Sequence, residues 1–209
     1  MGIRRGIGRL GIPTFDELVL KAQEAQLRHS TLAIKYADTG QMLLRPARPA
    51  DAAAVAGVHV RSWQVAYRGL LPDEYLDGLE PEDRARRYRF AELGPGQPQT
   101  IVAIEGETVC GFATVGPSRD DDRRGTGELL ALYVDPQRWG RGLGRALVHD
   151  ARARLARQGF EEAALWVLAA NERAQRFYRI DGWAPDGSRR LDEVWGLTVD
   201  ELRYRRSLR

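Results

Sequence analysis

From Met42 onward the apolar residues recur with two periods. Runs with continuous or alternating apolar positions predict strands: MLLRPAR (42–48), ELLALYV (128–134), EEAALWVLAAN (161–171) and LTVDELRYRRSL (197–208), the last at a sheet edge. TIVAIEGETVCGFATVG (100–116) reads as a hairpin turning at Glu105-Gly106-Glu107. Between these runs the spacing becomes helical. Residues 49–70 form a helix opened by Asp51, with Val55, Val58 and Trp63 turned inward. LPDEYLDGL (71–79) gives a short helical turn, and PEDRARRYRFAEL (81–93) a helix with proline at its first position. A further helix ends at Gln158, and Asn171 opens another that Gly182 closes. Strands and helices mix without strict alternation, so the fold class is α+β, a mixed sheet flanked by helices.

Residues 1–41 read differently. Thr14 and Glu17 make a capping-box pattern, and Phe15, Leu18, Val19, Ala22 and Ala25 follow at helical spacing. One amphipathic helix and a linker are expected there, ahead of a main domain over 42–209. This extension has two readings: a helix that covers an apolar patch or contacts a second subunit, as in a homodimer, or a cloning remnant or upstream start before Met42.

Composition narrows the function classes. At 209 residues one core can bury roughly 70% of the unfolded surface. A net charge of +3 does not call for nucleic acid. The single cysteine, Cys110, excludes an internal disulfide framework, and His29, His59 and His149 lack metal-ligand spacing, so no metal is expected. No apolar run approaches a membrane span, and the N-terminus lacks a secretory h-region. A cytoplasmic protein is expected by default.

The candidate chemistry lies in LYVDPQRWGRGLGRALVHDARARLARQG (132–159). Gly140, Gly142 and Gly144 sit between a strand and a helix, interleaved with arginines. The first N–H groups of a helix have no partner within it, and the helix dipole adds positive charge there. Together they make an anion site, and phosphate is its usual guest. Arg138, Arg141 and Arg145 add charge to the same turn. A P-loop would need Gly-Lys-Ser/Thr, which is absent. A dinucleotide fingerprint would need Gly-x-Gly-x-x-Gly directly after the strand, which the spacing does not match.

These elements, in their order, resemble the GNAT superfamily of acyl-CoA-dependent N-acetyltransferases. ELLALYVDPQRWGRGLGRAL looks like the family's central strand, pyrophosphate loop and helix. LWVLAANERAQRFYRIDGW looks like its next strand and the helix bearing an Asn and a Tyr. VHVRSWQVAYRGLLPDEYL is similar to the first helices of one bacterial branch. The resemblance spans Met42 to Leu208. It implies a GNAT-like, mostly antiparallel central sheet that splays at the cofactor site, with acetyl-CoA as co-substrate. It further implies direct transfer to a primary amine on a small molecule or peptide; the alternative is an acyl-CoA-binding module without catalysis.

By the same resemblance, the cofactor lies along Leu132, Tyr133 and Val134, with the Val134 N–H facing the developing oxyanion. It is held by Arg138, Trp139, Gly140, Arg141, Gly142, Leu143, Gly144 and Arg145, and touched by Asn171. Trp139 stands where relatives carry Gln or Arg. Tyr178 would give the thiolate its proton; the competing view is a core aromatic beside Phe177. Strand alternation places Glu128 on one face with Leu130, Leu132 and Val134, as a base for the amine or else as a strand-end residue facing solvent. Trp63, Tyr67, Asp73, Tyr75 and Trp195 are candidates for the acceptor pocket. His59 is expected on a helix face, and Cys110 buried within a strand.

Overall fold

A computed structural model of the chain describes residues 32–35, 41–88, 90, 97–194 and 196–209. The amphipathic helix expected between Pro13 and Ser30 lies outside them, as does Trp195. The strands are β1 (Leu32–Lys35), β2 (Gln41–Pro46), β3 (Gln99–Glu105), β4 (Thr108–Pro117), β5 (Gly127–Val134), β6 (Glu162–Leu168), β7 (Ala184–Val194) and β8 (Leu197–Ser207). The helices are α1 (Ala52–Ala66), α2 (Asp73–Asp77), α3 (Pro81–Ala85), α4 (Leu143–Arg157) and α5 (Glu172–Ile180).

All strands join one sheet in the order β1-β2-β3-β4-β5-β6-β8-β7. Every pair is antiparallel except β5 with β6. The α+β class and the mostly antiparallel sheet are as the sequence implies. Four elements differ. β1 falls in the stretch taken as linker. β7 lies where no strand was expected, because Asp186, Gly187 and Ser188 interrupt its pattern at a register shift between Pro185 and Arg189. β7 therefore takes the edge, and β8, expected there, is internal. The helix over 81–93 is described as helical only across α3.

Two layers of side chains sandwich the sheet. α4 buries Leu143, Ala146, Leu147, Ala151 and Leu155. They pack against Ala113, Leu129, Val134, Leu165 and Val167 on one face. Fully burying Leu147 and Leu155 contributes about 1.5–3 kcal/mol each. On the other face α1 sets Val55 and Val58 against Val102 and Phe112. Asp51 stands at the N-cap of α1 as expected, but its carboxylate turns back from the helix, accepting from Arg45 Nη1 (2.6 Å), Arg45 Nη2 (2.8 Å) and the Arg48 N–H (2.7 Å). The Arg45 guanidinium is the main reason the Asp51 carboxyl sits below the usual range.

Candidate active site

The site follows from how β5 leaves its neighbour. β5 pairs with β6 only at Gly127–Ala163 and Glu128–Ala164. Beyond Glu128 the two strands part, while β4 continues beside β5 to Val134. A register shift opposite Thr114 and Val115 leaves Leu130 as the extra residue of a bulge.

That bulge corrects the alternation argument. Leu129, Leu132 and Val134 belong to the core layer under α4, whereas Ala131 and Tyr133 pack under α1. Glu128 pairs in register with Ala164 and lies on the α1 face, opposite Leu132 and Val134. Strict period-2 counting fails because the bulged residue shifts every later side chain to the other face. Glu128 is 1% exposed, and Arg119 occupies both its oxygens, through the backbone N–H (2.9 Å) and Nη2 (2.9 Å).

Val134 is fixed from several sides. The Asp135 N–H donates to the Cys110 carbonyl at 2.8 Å, so by alternation the Val134 N–H and C=O point away from β4, into the cleft. The Val134 carbonyl accepts from Ser62 Oγ (2.9 Å) and Trp139 Nε1 (2.8 Å). Arg61 donates to Asp135 through Nε (2.9 Å) and Nη2 (2.6 Å), tying α1 to the end of β5. None of Arg61, Ser62 or Asp135 was singled out from sequence, because Arg61 and Ser62 find their partners more than 70 residues away.

The glycine turn follows. Gly140 (φ 78°) and Gly142 (φ 86°) are left-handed, a conformation that glycine alone adopts readily. Gly142 is the N-cap of α4 and its carbonyl accepts the Ala146 N–H at 3.0 Å. Among the described residues, no backbone partner meets the amides of Gly140 to Arg145. Gly144 lies against Phe177, where an added Cβ would stand 3.4 Å from the ring. The residues fit a diphosphate: open amides, a helix mouth, and the exposed Arg141 and Arg145 beside it.

The residues expected around the ligand also have partners within the protein. The Arg138 and Trp139 amides are used within the turn, donating to Asp135 (2.8 Å) and Pro136 (3.3 Å). The Arg138 guanidinium pairs with Glu105 of β3. The Trp139 indole pins the loop to β5 and lies 3.5 Å under the Arg173 guanidinium. The Leu143 side chain is core, leaving only its backbone for a ligand. Asn171 caps α5, accepting the Ala174 N–H at 3.0 Å. Asp73 is exposed and pairs with Arg68 at 3.3 Å rather than lining a cavity. Cys110 is buried as expected, and burial raises its thiol.

Tyr178 projects from the inner face of α5 between Phe177 and Trp183. Burial lifts its phenol well above the usual range, and Tyr133 and Asp181 push the same way. Across the cleft Trp63, Tyr67 and Tyr133 pack with Leu168. Burial also raises Tyr133, while hydrogen bonding from Trp63 and Tyr67 works against it. Tyr75 flanks this cluster and accepts from Arg84 Nη2 at 3.4 Å.

His59 is not on an open helix face. It is 4% exposed, 4.4 Å from the Tyr133 ring centroid, with Nδ1 against the Tyr88 hydroxyl. Burial, helped by the Arg84 charge, pulls its pKa down to about 3, so it is neutral near pH 7. A cavity of about 220 Å³ lies beside it, floored by Phe112, Leu130 and Ala131. Among the described residues no cluster of His, Cys, Asp and Glu could hold a metal ion, and no helix is long and apolar enough to cross a membrane.

Comparison with known proteins places this geometry in a family. The profile of the "Acetyltransferase (GNAT) family" matches residues 62–183. The uncharacterized N-acetyltransferase YuaI of Bacillus subtilis is 31% identical over 128 residues, 61% of this chain and 72% of that one. The uncharacterized N-acetyltransferase Rv2669 of Mycobacterium tuberculosis is 31% identical over 140 residues, 66% of this chain and 86% of its own. Among solved structures, the yncA acetyltransferase of Salmonella typhimurium with acetyl-CoA superposes with a TM-score of 0.61. It is 23% identical and covers 80% of this chain and 94% of its own. The paia N-acetyltransferase of Thermoplasma acidophilum with coenzyme A gives a TM-score of 0.58 at 19% identity, covering 79% and 98%. The chain belongs to the GNAT acetyltransferase family and is an acyltransferase.

Proposed function

We propose that this enzyme moves an acetyl group from acetyl-CoA to a primary amine, by direct attack within a ternary complex. The observation that carries the reading is the join of two features: the open amides from Gly140 to Arg145, and the cleft that starts where β5 and β6 part. The amides hold the diphosphate, and the pantetheine arm runs along the unpaired edge of β5 past Leu132 and Tyr133. The fixed Val134 N–H then faces the thioester oxygen, where a preorganised donor lowers the barrier as negative charge develops.

Tyr178 protonates the departing sulfur. Its raised pKa keeps the phenol protonated at working pH, as a general acid requires. Glu128 enters as a candidate proton acceptor; to serve, its carboxylate must give up a contact to Arg119. The acceptor is a small molecule or a peptide end, approaching from the α1 side.

Thiol release from acetyl-CoA, screened over primary amines with mass spectrometry of the products, tests the assignment. Acetylated amine and free CoA in equal amounts are expected. Tyr178→Phe should lower kcat by about 10²-fold or more, the scale of general-acid catalysis. Tight acetyl-CoA binding without thiol release to any amine would instead support the non-catalytic alternative.

A further inference from the structure

β8 carries a carboxylate that the family resemblance did not point to. In register, Arg190 of β7, Glu201 of β8 and Leu168 of β6 stand side by side on one face of the sheet. Leu168 lies beyond the last β5–β6 pair and packs with Trp63, Tyr67 and Tyr133 under α1. Glu201 therefore sits at the wide end of the cleft, across the sheet from Tyr178, which packs in the α4 layer. Arg190 holds one oxygen, Oε2, through Nε (3.0 Å) and Nη2 (2.8 Å). Among the described residues nothing donates to Oε1, and that atom is not among those sealed from solvent. Glu128, by contrast, has both oxygens engaged.

We propose that Glu201 is the general base, taking the proton from the incoming ammonium on the α1 face while Tyr178 serves the sulfur from the other. This rests on the acetyl-transfer reading above. The ammonium N–H bond breaks and its proton passes to Oε1. The freed amine pair attacks the thioester carbon, forming C–N and pushing electrons onto the oxygen beside the Val134 N–H. On collapse C–S breaks, and the thiolate takes the Tyr178 proton. The surplus proton on the new amide nitrogen replaces it through solvent, and Glu201 releases its own to bulk.

The surroundings suit a base. Burial pushes the Glu201 carboxyl above the usual glutamate range, against the pull of Arg190 on β7 and Arg119 ahead of β5; Asp192 on β7 adds to the rise. On the facing elements, Tyr67 and Tyr133 are the titratable groups whose own ionisation the Glu201 charge disfavours.

Two probes that differ in protonation test the assignment. Methylamine is almost wholly protonated at pH 7.5 and needs a base, whereas hydroxylamine is almost wholly neutral and does not. Glu201→Gln should lower thiol release to methylamine about 100-fold and to hydroxylamine less than threefold, the selective loss being the scale of general-base catalysis. Arg190→Met provides an independent readout. Losing that cation raises the Glu201 pKa, so the acid limb of the methylamine pH profile should move to higher pH. Equal losses for both probes, or an acid limb unmoved in Arg190→Met, overturn the proposal. A selective loss in Glu128→Gln but not in Glu201→Gln overturns it in favour of Glu128. Wild-type protein that binds acetyl-CoA but releases no thiol with either probe or with any primary amine of the screen above refutes the transfer reading itself, and this proposal with it.

Discussion

Gly111→Ala probes the strand that carries the chemistry. Gly111 on β4 lies opposite Val134 on β5. A Cβ there would stand 2.9 Å from the Tyr133 carbonyl oxygen, 3.0 Å from Leu147 Cδ1 and 3.3 Å from Val134 Cγ2. The first contact is with backbone and falls 0.5 Å short of the 3.4 Å at which ordinary contact begins. Either β4 or β5 must yield by about that distance. Overpacking of this kind costs about 1–3 kcal/mol. For a chain of this size that lowers the melting temperature by roughly 2–4 °C per kcal/mol.

The larger effect is on catalysis. A misplacement of about 1 Å can cost about 10²-fold, so half that at Val134 should lower kcat about tenfold. Gly106→Ala is the control. Gly106 is also left-handed (φ 60°), but a Cβ there meets nothing within 4 Å. It should cost about 1 kcal/mol from backbone strain alone, with kcat unchanged. Thermal melts and thiol-release kinetics on both variants decide the matter. A Gly111→Ala protein that melts and turns over like wild type would refute the claim that β5 is held at close contact in its working position.

Other outcomes follow from the same geometry. His59 has a folded pKa of about 3 against about 6.5 unfolded, so it costs nothing above pH 6.5, and stability falls as the pH drops from there toward 3. At pH 5 the loss is about 2 kcal/mol, and denaturant titrations of His59→Gln should lack it. Asn171→Ala removes the α5 cap, at a cost of about 1 kcal/mol in the same assay, and should raise the KM for acetyl-CoA only as far as the helix frays. Replacing Arg141 and Arg145 together by Gln should raise that KM and flatten its dependence on salt, since exposed charges are screened.

The sequence was most legible where function and secondary structure share one signal. The strand, the Gly140–Gly144 turn and the helix after it could be read directly, because positive-φ glycines before an apolar helical stripe leave few alternatives. As site residues, Tyr178 and Asn171 were picked out by the family resemblance alone; helical spacing by itself marks neither. The Leu130 bulge was hidden, since an inserted residue in an apolar strand leaves the composition unchanged, and with it went the face of Glu128. β7 was missed because Asp186-Gly187-Ser188 reads as a turn, and without β7 nothing showed Arg190 beside Glu201. The side-chain partners of Arg138, Trp139 and Leu143 could not be read, because Glu105, Val134 and the α4 core are remote in sequence or on the far side of the turn.

Amide shifts of ¹⁵N-labelled protein, recorded with coenzyme A and then with S-acetylpantetheine, which lacks the diphosphate, test the central claim most directly. The amides of Gly140 to Arg145 should move strongly with coenzyme A and stay in place with S-acetylpantetheine, while Val134 responds to the thioester. Amides in that turn that do not respond to coenzyme A, with shifts concentrated elsewhere, would contradict the account.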